Sequence, residues 1–177
     1  VNTEGTKNLV GALIALKMPI KRFVFVSSLS IFGAIREEQP YQEITEHDTP
    51  HPNTAYGKSK WEAEKYLGVP YVWGGYSPSG FDCSGFVSWV INNCGNGWNI
   101  GRCTADGLRS HCSQVSPSEA KPGDLIFFQG TYNTSGASHV GIYVGNNMMI
   151  HCGKPVQYTS IASAYWQEHF MAFGRLH

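Results

Sequence analysis

The strongest pattern along the chain is at Phe86, Val87, Val90 and Ile91, apolar at i, i+1, i+4 and i+5 and preceded by Asp82, a good N-cap. The spacing predicts a helix from Cys83 to about Asn93. Upstream, Leu9, Val10, Leu13, Ile14 and Leu16 predict a helix over Val1 to Lys17 that Pro19 ends. Phe23-Val24-Phe25-Val26 is continuously apolar, as a strand buried on both faces would be. A polar loop then leads to Tyr56 and a helix, Trp61 to Leu67, which Gly68-Val69-Pro70 breaks. Downstream of the central helix, Thr104 to Cys112 reads as a short helix capped by Thr104, and Lys121-Pro122-Gly123 as a turn. Strands are predicted at Asp124 to Phe128, His139 to Val144, Met148 to Cys152 and Phe170 to Leu176. Val140, Ile142 and Val144 alternate with His139, Gly141 and Tyr143, the period of a sheet. Helices first and an antiparallel sheet second is an α+β order.

Composition narrows the classes. The chain has 177 residues, 42% hydrophobic, enough for one domain with a packed core or a domain with an appendage. Lys plus Arg and Asp plus Glu are 13 each, and no basic run exists, so the footprint of a nucleic-acid binder is missing. No stretch approaches the roughly 18 apolar residues of a membrane span. The chain begins at Val1 without the charged start and apolar core of a signal peptide, so a secreted protein is expected to have lost its leader. Five cysteines without a C-x-x-C pair give neither a full disulfide framework nor a zinc ribbon. One reactive thiol fits that count, and spacing leaves the pairing of Cys94, Cys103 and Cys112 open.

Cys83 is the thiol to choose. In the first turn of its helix, unpaired N–H groups and the helix dipole favour a thiolate, the reactive form. A nucleophilic thiol needs an imidazole to take its proton and a further polar group to orient that imidazole. His139 opens one strand and His151 closes the next. By contrast, His47 and His51 sit in a polar loop, His111 and His169 read as surface residues, and His177 ends the chain. A metal shared by Cys83, His139, His151 and Cys152 fails on parity, because His151 and Cys152 point to opposite faces of a strand. No metal or cofactor is therefore expected.

Two family resemblances carry specific motifs. Asn2-x-x-Gly5-Thr6-x-Asn8-Leu9, Phe23-Val24-Phe25-Val26-Ser27-Ser28 and Tyr56-Gly57-Lys58-Ser59-Lys60 resemble the middle section of the extended short-chain dehydrogenases, the nucleotide-sugar epimerases and dehydratases. The resemblance implies an incomplete α/β Rossmann-type fragment over residues 1–67, with Ser28, Tyr56 and Lys60 as a vestigial triad. No glycine-rich dinucleotide fingerprint follows a first strand, so an inert fragment is expected rather than an oxidoreductase.

From about residue 65 onward the chain resembles the NlpC-type cell-wall cysteine peptidases. Gly68-Val69-Pro70-Tyr71-Val72-Trp73-Gly74-Gly75, Phe81-Asp82-Cys83-Ser84-Gly85-Phe86-Val87, Pro122-Gly123-Asp124-Leu125, Ser138-His139-Val140-Gly141 and Ile150-His151 carry the likeness. It implies a papain-like α+β domain over residues 68–177, with Cys83 as nucleophile, His139 as base and His151 as the orienting third residue. Tyr71, Trp73, Asp82 and Ser84 would line the substrate pocket. The implied reaction is hydrolysis of γ-D-glutamyl bonds in peptidoglycan stem peptides, outside the cell or in its wall. A silent wall-binding or amidase-like relative is the alternative. The two resemblances share the helix at about 56–67, so the chain reads as a chimera.

The hairpin between the two histidines decides whether they meet. A three-residue turn at Gly145-Asn146-Asn147 would pair Val144 with Met148, Ile142 with Ile150 and Gly141 with His151, placing His139 and His151 on one face. That register is the expectation.

Overall fold

A computed structural model describes residues 49–177. The helix and strand expected at Val1 to Lys17 and Phe23 to Val26, together with Ser28 and His47, lie outside the described residues. Helix α1 (Ala55–Glu64) starts where the Thr54 hydroxyl accepts the Gly57 N–H at 3.0 Å. It thus begins six residues before Trp61 and ends three before Leu67; the Thr54 cap fixes the start, and turns replace the last helical residues. The Gly68 to Phe81 segment carries a short ribbon of β1 (Tyr76–Ser77) and β2 (Gly80–Phe81). Next comes α2 (Cys83–Asn93), with the predicted bounds and the predicted Asp82 cap, then α3 (Ala105–Ser110) behind the Thr104 cap.

The remaining strands are β3 (Cys112–Val115), β4 (Leu125–Phe128), β5 (His139–Gly145), β6 (Met148–Cys152), β7 (Val156–Ser160) and β8 (Phe170–Leu176). The short α4 (Ala164–Glu168) precedes the last of them. Together they form one antiparallel sheet in the order β3-β8-β4-β5-β6-β7.

The core follows from strand parity. All four residues of β4 are buried. Leu125 and Phe127 join Val140, Ile142, Ile150 and Cys152 beneath Phe86, Val87, Val90 and Ile91 of α2. Ile126 and Phe128 face the other way, into a cluster with Met149, Ile161 and Phe173. Each fully buried α2 side chain contributes about 1.5–3 kcal/mol, so packing on the sheet holds the helix and with it the position of Cys83.

The β5–β6 hairpin has the expected register by a different route. Ile142 pairs with Ile150 and Tyr143 with Met149, but Gly145 pairs with Met148, and a bulge between Tyr143 and Gly145 absorbs the odd residue. The turn is therefore the two residues Asn146 and Asn147, both at positive φ (51° and 55°), as a type I′ turn requires. The bulge at Val144 corrects the three-residue turn and still keeps His139 and His151 on one face.

Two polar ties fasten the periphery. Asp124, 2% exposed, accepts a bidentate pair from Arg175 on β8 at 2.7 and 2.8 Å and the Lys121 N–H at 2.8 Å. Lys60 is buried on α1 against Glu64 and the Tyr158 hydroxyl of β7, and that hydroxyl donates to Glu64 at 2.5 Å. Tyr56, one turn earlier, lies against Gly123 instead.

Candidate active site

The glycines of the Cys83 region fix its geometry. A Cβ on Gly85 would lie 2.0 Å from the Gly75 carbonyl oxygen, and one on Gly75 would lie 2.5 Å from that of Gly80. The Gly74-Gly75 loop can therefore press against the first turn of α2 only because both positions lack side chains. Asp82 ties the two together. Its Oδ1 accepts the Gly85 N–H at 2.6 Å and the Ser84 hydroxyl at 3.1 Å; its Oδ2 accepts the Gly74 N–H at 3.0 Å and an ion pair with Arg102.

Cys83 is 7% exposed. Burial, and then the Asp82 charge, push its thiol up to about 11, while the N–H groups of Val140, Ser84 and Cys83 itself pull it back in part. The first-turn N–H groups thus favour the thiolate as expected, but desolvation outweighs them and the thiol stays protonated near pH 7. The Val140 amide comes from β5, one residue after His139, so that strand's start meets the first turn of α2. Tyr71 closes another side, its hydroxyl pushed up to about 12 by burial and then by the Cys83 and Asp82 charges.

The histidines form a chain. His139 Nε2 lies 2.8 Å from His151 Nδ1, and His151 Nε2 lies 2.8 Å from Thr159 Oγ1 on β7. Trp166 of α4 packs on both rings, with centroids 5.1 and 5.3 Å away. Burial and the adjacent His151 push His139 down to about 3, and burial pushes His151 down to about 4, so both imidazoles are neutral near pH 7. A neutral His139 whose Nδ1 is to take a proton carries its own on Nε2 and donates it to His151 Nδ1. His151 then holds its proton on Nε2 and donates to Thr159.

Sequence reasoning named Cys83, Asp82, Ser84, Tyr71, Trp73, His139 and His151, and missed Arg102, Thr159 and Trp166. Asp82 and Ser84 are buried and bonded within the protein, whereas Trp73 is 71% exposed, edge-on to Tyr132 at 5.2 Å. His151 and Cys152 do face opposite ways: the Cys152 thiol donates to the Phe81 carbonyl at 3.1 Å in the α2-side core. Among the described residues, no three His, Cys, Asp or Glu side chains converge as a metal site, and no helix is long and apolar enough to cross a membrane.

The NlpC/P60 family model matches residues 68–175, the whole stretch that carries this geometry. The chain belongs to the NlpC/P60 family. The model of the NAD dependent epimerase/dehydratase family matches residues 1–69, so the two matches meet at Gly68 and Val69, just after α1. The bifunctional muramidase/DL-endopeptidase CwlT of Bacillus subtilis is 44% identical over 117 residues, 65% of this chain and 35% of CwlT. The solved NlpC/p60 domain of the peptidoglycan hydrolase SagA is 35% identical with a TM-score of 0.59, covering 70% of this chain and 100% of that one. A lipoprotein-like NLP/P60 family protein from Staphylococcus aureus is 37% identical with a TM-score of 0.66, covering 75% of this chain and 45% of that one. The chain thus spans about a third of CwlT's length.

Proposed function

We propose that the protein is a cysteine endopeptidase that hydrolyses γ-D-glutamyl bonds in peptidoglycan stem peptides, acting in the cell wall or outside the cell. The carrying observation is the His139–His151 hydrogen bond at the strand end whose Val140 amide reaches the Cys83 thiol. The printed functions of CwlT and SagA support the substrate class.

Because thiol and imidazole are both neutral at rest, Cys83 attacks as His139 Nδ1 takes its proton, and the sulfur–carbon bond forms at the scissile carbonyl. The Cys83 and Ser84 amides, first-turn groups without intrahelical partners, are donors for the developing oxyanion. Collapse breaks the C–N bond, and the leaving amine takes the proton from His139. Water, deprotonated by the same nitrogen, then hydrolyses the thioester. His151 holds the ring throughout, accepting from Nε2–H in both charge states of His139. Trp73 and Tyr71 are placed to contact the stem peptide, and Asp82 and Ser84 to shape the wall behind it. The residue 1–67 segment contributes α1 to the domain and takes no part in the chemistry.

The test is release of soluble peptides from purified peptidoglycan. The protein should release them and Cys83→Ala should not. Wall binding without release by the unaltered protein would favour the silent relative instead.

A further inference from the structure

We propose that Arg102 is a positioning residue for the nucleophile: by pairing with the Asp82 carboxylate it keeps that charge from opposing thiolate formation at the adjacent Cys83. This rests on Cys83 being the nucleophile, and it is independent of the substrate.

Asp82 precedes Cys83 and caps its helix, and it is 8% exposed. Three of its four donors, the amides of Gly85 and Gly74 and the hydroxyl of Ser84, are neutral. The fourth is the Arg102 guanidinium, which arrives from the loop before α3. That guanidinium is itself held in place, since Nη1 also donates to Ser84 Oγ at 3.3 Å and to the Cys103 carbonyl. The other titratable groups that face the thiol are Tyr71 from the glycine loop and Cys152 from β6, and His139 precedes Val140, whose amide bonds it. All of these are neutral near pH 7. The carboxylate is therefore the one full negative charge beside the forming thiolate among the described residues. In a site this dry, like charges on neighbouring residues repel strongly, and a guanidinium against the carboxylate turns that charge into a dipole. A loop staple would use the same contacts without this electrical effect.

The two are separated by the pH dependence of Cys83 alkylation by iodoacetamide in the full chain, followed on the Cys83 peptide by mass spectrometry. Alkylation tracks the thiolate whether or not any stem peptide is cleaved. In Arg102→Gln the inflection should move up by about one pH unit, roughly tenfold slower labelling at a fixed pH below it. Arg102→Lys should restore most of that loss. Asp82→Asn, which still caps the helix, should move the inflection down by about one unit, and the Arg102→Gln/Asp82→Asn pair should cancel the Arg102→Gln shift. An unshifted Arg102→Gln profile, or a shift that persists in the pair, would overturn the proposal. If Arg102→Gln does not fold, Asp82→Asn decides alone, and an unmoved inflection there overturns it equally.

Discussion

His139 Nε2 and His151 Nδ1 lie 2.8 Å apart across twelve residues of chain, brought together by a hairpin whose bulge restores the parity its two-residue turn would have broken. The chain ends on Thr159, diagonal to His151 across the β6–β7 ladder. Thr159→Val removes the acceptor that fixes the His151 tautomer. It should lower kcat about tenfold with little change in KM, and Thr159→Ser should recover most of the loss. Steady-state kinetics on a synthetic stem peptide checks both.

Gly141 stands opposite His151. A Cβ there would lie 2.9 Å from Met149 Sδ, 3.1 Å from His151 Cβ and 3.3 Å from the Ile150 carbonyl. Gly141→Ala should cost about 1–3 kcal/mol in denaturant unfolding. It should reduce activity per folded molecule as well, because part of the strain is relieved by moving the His151 ring.

The α1 residues that match the dehydrogenase pattern should act on stability alone. Tyr56→Phe and Lys60→Ala should leave hydrolysis per folded molecule intact. Lys60→Ala also removes the buried ammonium from the half-buried Glu64–Tyr158 pair, which should cost about 3 kcal/mol in urea unfolding. Loss of hydrolysis in properly folded Tyr56→Phe would tie that residue to the chemistry.

Stability should depend on pH on both sides of neutrality. The folded-state values of His139 and His151, about 3 and 4, lie below the ordinary 6.5. As pH falls through 6.5 the unfolded chain takes up protons that the folded chain refuses, and stability drops until about pH 3–4. Cys83, Cys112 and Cys152 are raised to about 11, 12 and 12 from 9, so above pH 9 the unfolded chain sheds protons first and stability drops again. Urea midpoints should therefore be flat between about pH 6.5 and 9 and fall outside that window. In Cys83→Ala/His151→Ala, both limbs should be shallower.

Strong periods made much of this legible. Phe86, Val87, Val90 and Ile91 fixed α2, and the alternation of β5 placed His139 on the face away from α2. The sheet's two edge strands were missed. In β3, Ser113 and Gln114 are exposed and only Val115 is buried, so no apolar face declares it. β7 carries a short alternation, Val156 and Tyr158 against Gln157 and Thr159, and reading it as a strand would have brought Thr159 into the site. Arg102 reaches Asp82 across 20 residues from an irregular loop, a contact that no local pattern encodes. The protonation of Cys83 was legible only in part: helix position is visible in sequence, whereas the burial that outweighs it depends on the fold.

Cys83 should become acylated during turnover. Acid quench of the protein early in its reaction with a synthetic γ-D-glutamyl stem peptide, followed by peptide mapping, reads this directly. A mass increase equal to the acyl part of the substrate is predicted on the Cys83 peptide, absent in Cys83→Ala and longer-lived in His139→Ala if any forms there. Peptide release that continues in Cys83→Ala, or an adduct on any other residue, would show that Cys83 is not the nucleophile.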